Sequence, residues 1–341
     1  MPGYRVAVIG ATGAVGREVL AILEARRFPA ATVRAVASPR SAGRSVAGRP
    51  VEVLSPEVFE GVDLAIFDTP DEVAQEWVPV AAARGVLVID NSAAFRAAPD
   101  VPLVIPEVNA HALRHIPRRI VANPNCTTAT IAVPLSALHR AAGLRRVIAC
   151  SYQSVSGAGQ RGVEQLWAEL REVASAGRPL GAPRGGAFAH PIAMNVIPAI
   201  GSLRGAHTSE EVKMGAELRK MLEAPDLLVG ATCVRVPTLT AHGVAVHAEF
   251  ATPLPAARAR ELLRAAAGVE VVDDPAAGRY PTPLLAAGRD PCYVGRIRDD
   301  GAGTLAFFAV ADNLRKGAAL NAVQIAETLV RDGLVRAATA D

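Results

Sequence analysis

Arg5-Val-Ala-Val-Ile9-Gly10-Ala-Thr-Gly13-Ala-Val-Gly16 decides the fold: a short apolar, largely β-branched run passes directly into three glycines spaced three apart. The next stretch, 17–27, carries Val19, Leu20, Ile22 and Leu23 at helical spacing. A strand, a glycine turn and a helix in this order form a phosphate site. Glycines permit the tight turn, and the free backbone N–H groups of the helix start face an anion. The pattern is GxxGxxG, and a glycine-rich turn without a ligand is the competing reading. Its position directly after an N-terminal strand favours a dinucleotide, held by Gly10, Thr12, Gly13, Ala14, Val15 and Gly16.

Outward from this turn the chain alternates strand and helix. Residues 32–37, 64–67 and 86–89 read as strands and 74–84 as a helix. Continuous apolar runs of this length, separated by helices, indicate a parallel sheet buried on both faces. The class is therefore α/β, with an N-terminal doubly wound, Rossmann-like dinucleotide-binding domain. The second strand ends in Ser38-Pro-Arg40-Ser41-Ala-Gly-Arg44, with no Asp or Glu to read a ribose 2′-hydroxyl. Ser38, Arg40 and Ser41 suit a 2′-phosphate, which selects NADP over NAD, against the alternative of a solvated basic turn.

Beyond Asn123 the pattern changes. Residues 127–142 read as a helix bent by Pro134, 146–154 as a strand, and 162–174 and 210–222 as helices. Residues 231–237 and 244–250 read as adjacent strands, 304–310 as another, and 317–331 as a long helix. The Gly- and Pro-rich stretch 175–188 reads as a loop or interface arm. This half is α+β, with a sheet open on one face. The expected division is a NADP-binding domain over 1–125, a catalytic and dimerisation domain over 126–316, and a terminal helical segment, 317–341, that packs back on the first domain.

The composition narrows the partners. Over 341 residues the net charge is +3 and aromatics make up 4%, which supports neither a nucleic-acid partner nor a membrane surface. No apolar run approaches a membrane span. The opening apolar run is too short for a signal-peptide core, so a cytoplasmic protein is expected. Four widely spaced cysteines, Cys126, Cys150, Cys233 and Cys292, offer neither metal-ligand spacing nor a disulfide framework. No metal is expected.

Among these thiols Cys126 stands apart. It sits in Asn123-Pro-Asn-Cys-Thr-Thr128, where an apolar run gives way to a helix. A thiol at a helix N-terminus gains from the dipole as a thiolate. The bland reading of a lone Cys is a buried, inert thiol, but the turn before Cys126 resembles that of a nucleophile.

With these pieces in place, the sequence resembles the aspartate-β-semialdehyde dehydrogenase family. The resemblance rests on the glycine loop, residues 37–43, Asp90-Asn-Ser-Ala-Ala-Phe-Arg96, Val104-Ile-Pro-Glu-Val-Asn109, the Cys126 turn, Ser151-Tyr-Gln-Ser-Val-Ser-Gly-Ala-Gly159, Glu210-Glu-Val-Lys213, residues 235–242 and Asp312-Asn-Leu-Arg-Lys-Gly317. They occur in family order over nearly the whole chain. It implies a NADPH-dependent reduction of L-aspartyl-4-phosphate to L-aspartate 4-semialdehyde and phosphate, through an acyl-thioester on Cys126. It also implies a homodimer and a place in lysine/diaminopimelate, threonine and methionine biosynthesis. By the same resemblance His242 is the acid/base, which calls for a group titrating near neutral pH, and Gln153 orients the acyl group. Arg235 clamps the substrate carboxylate, Glu210 meets the α-amino group, and Lys213 and Arg96 hold the phosphate, with Asn125 beside the nucleophile as a further substrate contact. Ser156, Gly157 and Asn313 match contacts to the nicotinamide end of the cofactor. The chain departs from the family in Phe67-Asp-Thr-Pro70, where small residues are usual beside the cofactor, and at Ala93, often Ser. From spacing alone, Glu210 and Lys213 read as a surface ion pair and Arg96 as a solvated loop cation. The rival enzyme is N-acetyl-γ-glutamyl-phosphate reductase, which has no need of Glu210. The rival from another class is a non-catalytic NADP-sensing module, which has no need of an activated thiol.

Overall fold

The computed structural model describes residues 3–181, 185–301 and 303–335. The chain divides into two compact units, with boundaries between Asn125 and Cys126 and between Gly317 and Ala318.

The first unit is built on β1 (Tyr4–Ile9), α1 (Ala14–Ala25), β2 (Ala30–Ala37), β3 (Ser45–Val46), β4 (Arg49–Val53), β5 (Leu64–Phe67), α2 (Asp71–Ala83), β6 (Leu87–Asp90), α3 (Pro106–Asn109) and β7 (Ile120–Ala122). Its sheet has the order β3-β4-β2-β1-β5-β6-β7, parallel except where β3 meets β4. The chain runs from β1 outward to β2 on one side and later to β5 on the other. The carboxyl end of β1, where the glycine loop begins, therefore lies at the point where strand order reverses. Both faces are covered, as continuous apolar strands require. Val6, Val8, Leu64 and Ile66 pack with Val19, Leu20 and Leu23 of α1 and with Leu320, Val323 and Leu329 of the last helix, Leu320–Arg331. On the other face Phe67 stacks on Phe59, which meets Trp77 of α2.

The second unit holds α4 (Cys126–Ala142), β8 (Leu144–Gln153), α5 (Gly159–Ala176), the short hairpin β9 (Leu203–Arg204) and β10 (His207–Thr208), α6 (Ser209–Met221), β11 (Leu228–Arg235), β12 (His242–Phe250), α7 (Ala256–Arg264), β13 (Val269–Val271), α8 (Pro283–Ala286), β14 (Cys292–Asp299) and β15 (Leu305–Ala311). Its main sheet has the order β11-β8-β12-β15-β14-β13. Helix α4 packs on β8, β12, β14 and β15, α6 on β11, and α7 on β13 and β14. Along β8, Val147, Ala149, Ser151 and Gln153 are buried, whereas Ile148 and Tyr152, pointing the other way, are exposed. Among the described residues this face is thus exposed around Ile148 and Tyr152, whereas farther along the sheet Val310 and Tyr293 of the same face are buried with Ala286 of α8.

The structure corrects several sequence expectations. The stretches 231–237 and 244–250 are not neighbours: β8 lies between β11, its parallel partner, and β12, its antiparallel partner. Sequence proximity suggested adjacent strands, but the burial pattern needs β8 in the middle. Helix α1 starts at Ala14, so Gly16 lies within its first turn. Strands β3, β4, β13 and β14 were not foreseen, whereas the apolar run before Asn123 is β7. Most are too short to show a period, and β14 carries Gly295, Arg296 and Arg298 around a register shift. The helix expected from 317 begins as a π-turn over Arg315–Ala319 before the regular Leu320–Arg331. Of the 175–188 arm, α5 reaches Ala176, and residues 182–184 lie outside the described residues, as do 336–341 of the terminal segment.

Phe67 is fully buried against Phe59. Phe67→Ala leaves a cavity there and is expected to destabilise the protein by about 3–5 kcal/mol, read as a lower midpoint in urea unfolding with the fold retained by circular dichroism.

Candidate active site

The second unit assembles three of its predicted residues through strand register. Gln153, the last residue of β8, is paired with Arg235 of β11 on one side and His242 of β12 on the other. Directly opposed residues project from the same face of a sheet, and here that is the buried face. Gln153 donates from Nε2 to Ser151 Oγ at 3.1 Å. Arg235 donates from Nη1 to the Ser154 carbonyl at 2.6 Å, and its guanidinium lies 5.8 Å from the centre of the Phe188 ring. Burial pushes the Arg235 pKa down, while the charges of Cys126 and Glu210 act the other way. Arg235 also lines a cleft of about 510 Å3 formed by residues 187–190, Ile197 and 199–201 with Ala158.

Cys126 is the first residue of α4 and is half-buried. Its backbone carbonyl accepts the Thr130 hydroxyl at 3.0 Å. Gly317 packs so closely on it that a Cβ at 317 would come within 2.6 Å of Cys126 Cβ. The positive end of a 17-residue helix lies at this thiol. By contrast Cys233 and Cys292 are buried, and burial above all pushes the Cys233 thiol up to about 12.

His242 is fully buried. Its Nδ1 accepts the Ser154 backbone N–H at 3.1 Å and lies 3.1 Å from Ser154 Oγ. Its Nε2 has no hydrogen-bond partner among the described residues. Burial first, and the Arg235 charge second, push its pKa down to about 3, with the Ala241 backbone opposing them. This corrects the expectation of a group titrating near neutrality. The desolvation that a lone sequence cannot report keeps this imidazole neutral.

Ser156 and Asn313, expected at the nicotinamide end of a cofactor, are bonded within the unit. Asn313 Oδ1 accepts from Ser156 Oγ at 3.1 Å, from Ser154 Oγ at 3.2 Å and from the Ala241 N–H at 2.9 Å. Gly157 packs against Arg235 and His242: a Cβ there would lie 3.2 Å from His242 Nε2. On α6, Glu210 is buried and Lys213 half-buried. The helix is started by Thr208 and Glu211, whose side chains cap each other's backbone N–H groups. Ser154 and Gly317 were missed by sequence reasoning. Ser154 lies inside the family motif, but a single sequence gives no reason to rank it above Ser156.

The remaining predicted residues belong to the first unit. Gly10 adopts a positive φ of 85° and abuts the Asp68 backbone, so no side chain fits there. Gly16 lies against the Gly10 carbonyl with equally little room. Thr12 Oγ1 and Ser41 Oγ are 3.2 Å apart, joining the glycine loop to the turn after β2 that carries Ser38 and Arg40. Gly13 caps the start of α1, and Ala14 and Val15 form its first turn with no acidic residue. These observations fit a dinucleotide: a glycine cradle, a helix N-terminus and a basic turn. Asp68 lies beside this loop. Burial, with a contribution from Asp90, raises its carboxyl to about 6, against the hydrogen bond from Asn91. Arg96 donates to the Asn123 and Asn91 carbonyls at 2.8 and 2.6 Å, so it is held rather than a free loop cation. Asn125 is buried. Among the described residues no group of three or more His, Cys, Asp or Glu side chains is placed to hold a metal ion, and no helix is long and apolar enough to cross a membrane.

Family models agree with this architecture. Residues 5–116 match the semialdehyde dehydrogenase NAD binding domain, and 135–316 the semialdehyde dehydrogenase dimerisation domain. The aspartate-semialdehyde dehydrogenase of Aquifex aeolicus is 42% identical over 98% of this chain and 100% of its own length. That of Streptomyces akiyoshiensis is 44% identical over 96% and 99%. The chain belongs to the aspartate-semialdehyde dehydrogenase family. A solved member, aspartate semialdehyde dehydrogenase II from Vibrio cholerae complexed with ASA, superposes with a TM-score of 0.91 at 39% identity, over 97% of this chain and 99% of that one. Family membership accounts for the two-unit architecture, the α/β class and the enzymatic character.

The four thiols of this family member are expected to differ sharply in reactivity. With limiting iodoacetamide at pH 8, Cys126 is alkylated first, whereas Cys233, a thiol until about pH 12, stays unmodified in the folded protein. Peptide mass spectrometry checks both.

Proposed function

We propose that this enzyme reduces L-aspartyl-4-phosphate to L-aspartate 4-semialdehyde and phosphate with NADPH, through an acyl-thioester on Cys126. One observation carries the reading. A nucleophile at a helix start shares its unit with Arg235, Gln153 and His242, aligned across three strands. The Cys126 thiolate attacks the acyl carbon, a C–S bond forms, and the C–O bond to phosphate breaks. The bound dinucleotide supplies the hydride that brings the thioester to the aldehyde level. The C–S bond then breaks and Cys126 leaves as thiolate.

The other residues bind and orient. Arg235 offers two parallel N–H groups to the α-carboxylate, a geometry that suits a planar oxyanion. Glu210 takes the ammonium, which favours an aspartyl over an N-acetylated glutamyl substrate. Gln153 presents an uncharged amide to the acyl group. Lys213 receives the phosphate, with Arg96 assigned to the same anion and Asn125 to the substrate beside Cys126. The glycine loop holds the dinucleotide, while Ser38, Arg40 and Ser41 read its 2′-phosphate. Ser156, Gly157 and Asn313 border its nicotinamide end. Exposed Ile148 and Tyr152 on one sheet face support a homodimer, and four free cysteines suit the cytoplasm.

The test is NADP reduction with L-aspartate 4-semialdehyde, with and without phosphate, beside N-acetylglutamate semialdehyde. Phosphate-dependent turnover of the first substrate alone is expected, and Cys126→Ala is expected to lose it by at least about 10³-fold. Normal turnover by that variant overturns the thioester route. Arg40→Ala is expected to raise KM for NADP about tenfold and to leave KM for NAD unchanged, as measured by steady-state kinetics.

A further inference from the structure

Asp68 follows β5 at the carboxyl end of the first sheet, and its side chain turns toward the glycine loop. Its backbone carbonyl abuts Gly10, and a Cβ at 13 would lie 3.7 Å from Asp68 Oδ2. Helix α1 starts there with no side-chain cap and no acidic residue in its first turn, as suits an anion held by backbone N–H groups. A carboxylate has the wrong charge for that place. Two anions brought together away from water cost free energy unless one is neutralised. Among the described residues no cation acts on Asp68. Its side chain takes one hydrogen bond, from Asn91 Nδ2 to Oδ1 at a long 3.5 Å, which leaves Oδ2 without a partner. At the end of β6, Asp90 adds a like charge. Asp71 at the start of α2 and Arg96 act on Asp90, and Arg96 gives Nε and Nη2 to backbone carbonyls. Arg17 on α1 is exposed and donates to the Thr12 carbonyl, and Arg40 beyond β2 is exposed. Burial above all, opposed by the Asn91 hydrogen bond and joined by Asp90, brings the Asp68 carboxyl up to about 6.

We infer that Asp68 is a dinucleotide-binding residue in its acid form: protonated on Oδ2, it donates to an anionic oxygen of the cofactor at the glycine loop, so that the cofactor binds together with one proton. The inference rests on the cofactor site of the reaction proposed above. A carboxylic acid offers one O–H donor and a carboxylate offers none. Oδ1 already accepts from Asn91, and Oδ2 is the oxygen beside Gly13. The proton comes from solvent, stays on Oδ2 while the cofactor is bound, and returns to solvent on release. In the free protein the acid fraction falls as pH rises through about 6. Only that fraction is competent, so the apparent affinity falls with it, by about tenfold per pH unit above that point. The bound anion favours the acid form further, which carries the dependence on into the range above neutrality.

The test is titration of the full-length protein with NADPH by isothermal calorimetry, without substrate. The dissociation constant of the wild type is expected to rise about tenfold per pH unit from about pH 7 to about pH 8.5. Binding heats compared in HEPES and in Tris at about pH 7.5 are expected to show uptake of about one proton per NADPH. Asp68→Asn keeps the shape and an N–H donor but cannot ionise, and comparison with it cancels the titration of the ligand itself. That variant is expected to lose both the pH dependence and the proton uptake, and at about pH 8.5 to bind NADPH at least about tenfold more tightly than the wild type. Wild-type binding without proton uptake, or the same pH slope in Asp68→Asn, overturns the inference. If Asp68→Asn does not fold, Asp68→Ser, which also donates and cannot ionise, takes its place with the same expected outcome. Failure to bind NADPH at any pH overturns the cofactor reading itself, whereas tight binding independent of pH overturns only the role of Asp68.

Discussion

Strand β8 is hydrogen-bonded along both edges, parallel to β11 and antiparallel to β12, and both registers meet at Gln153. A slip of one residue on either side turns Arg235 or His242 to the opposite face of the sheet. The buried alternation of Val147, Ala149, Ser151 and Gln153 under α4 resists such a slip, because it would drive Ile148 and Tyr152 inward and the core residues out. The hydrophobic packing of the second unit and the placement of its chemistry are therefore one constraint.

Within that constraint the unit buries polar groups that cost free energy on their own, and most are matched. Arg235 spends a donor on the Ser154 carbonyl, Gln153 one on Ser151, and Asn313 accepts three hydrogen bonds at one oxygen. Buried polar networks of this kind hold side chains in one geometry when every member is satisfied. Among the described residues Nε2 of His242 and the Thr238 hydroxyl are exceptions to this matching. Gly317 and Gly157 serve the same end by leaving room, one against Cys126 and the other against Arg235 and His242. In the first unit Gly10 and Gly16 do so for a dinucleotide loop.

Much of this was legible in the chain. The β1 run and its glycines announced the first unit, because a strand, a turn that admits no side chain and a helix start are all local. The Cys126 turn was legible for the same reason. Ser156 and Asn313 were singled out, but the hydrogen bonds that Asn313 accepts from Ser156 and Ser154 were not, since those partners lie 157 and 159 residues apart. The neighbour of β12 was misread, because strand order depends on which apolar faces meet and not on which segments follow each other. The protonation of His242 and the raised carboxyl of Asp68 were also invisible, since desolvation belongs to the surroundings and not to the residue.

The sequence by itself determined the fold class, the glycine turn after β1, the cysteine at a helix start and the family, for each is written in contiguous residues whose spacing has a local physical meaning. Only the tertiary structure decided that Arg235, Gln153 and His242 share one face, that Gly317 packs on Cys126, and that the His242 ring is fully buried against Ser154. Register, close approach and burial arise between segments far apart in the chain, where no local pattern records them.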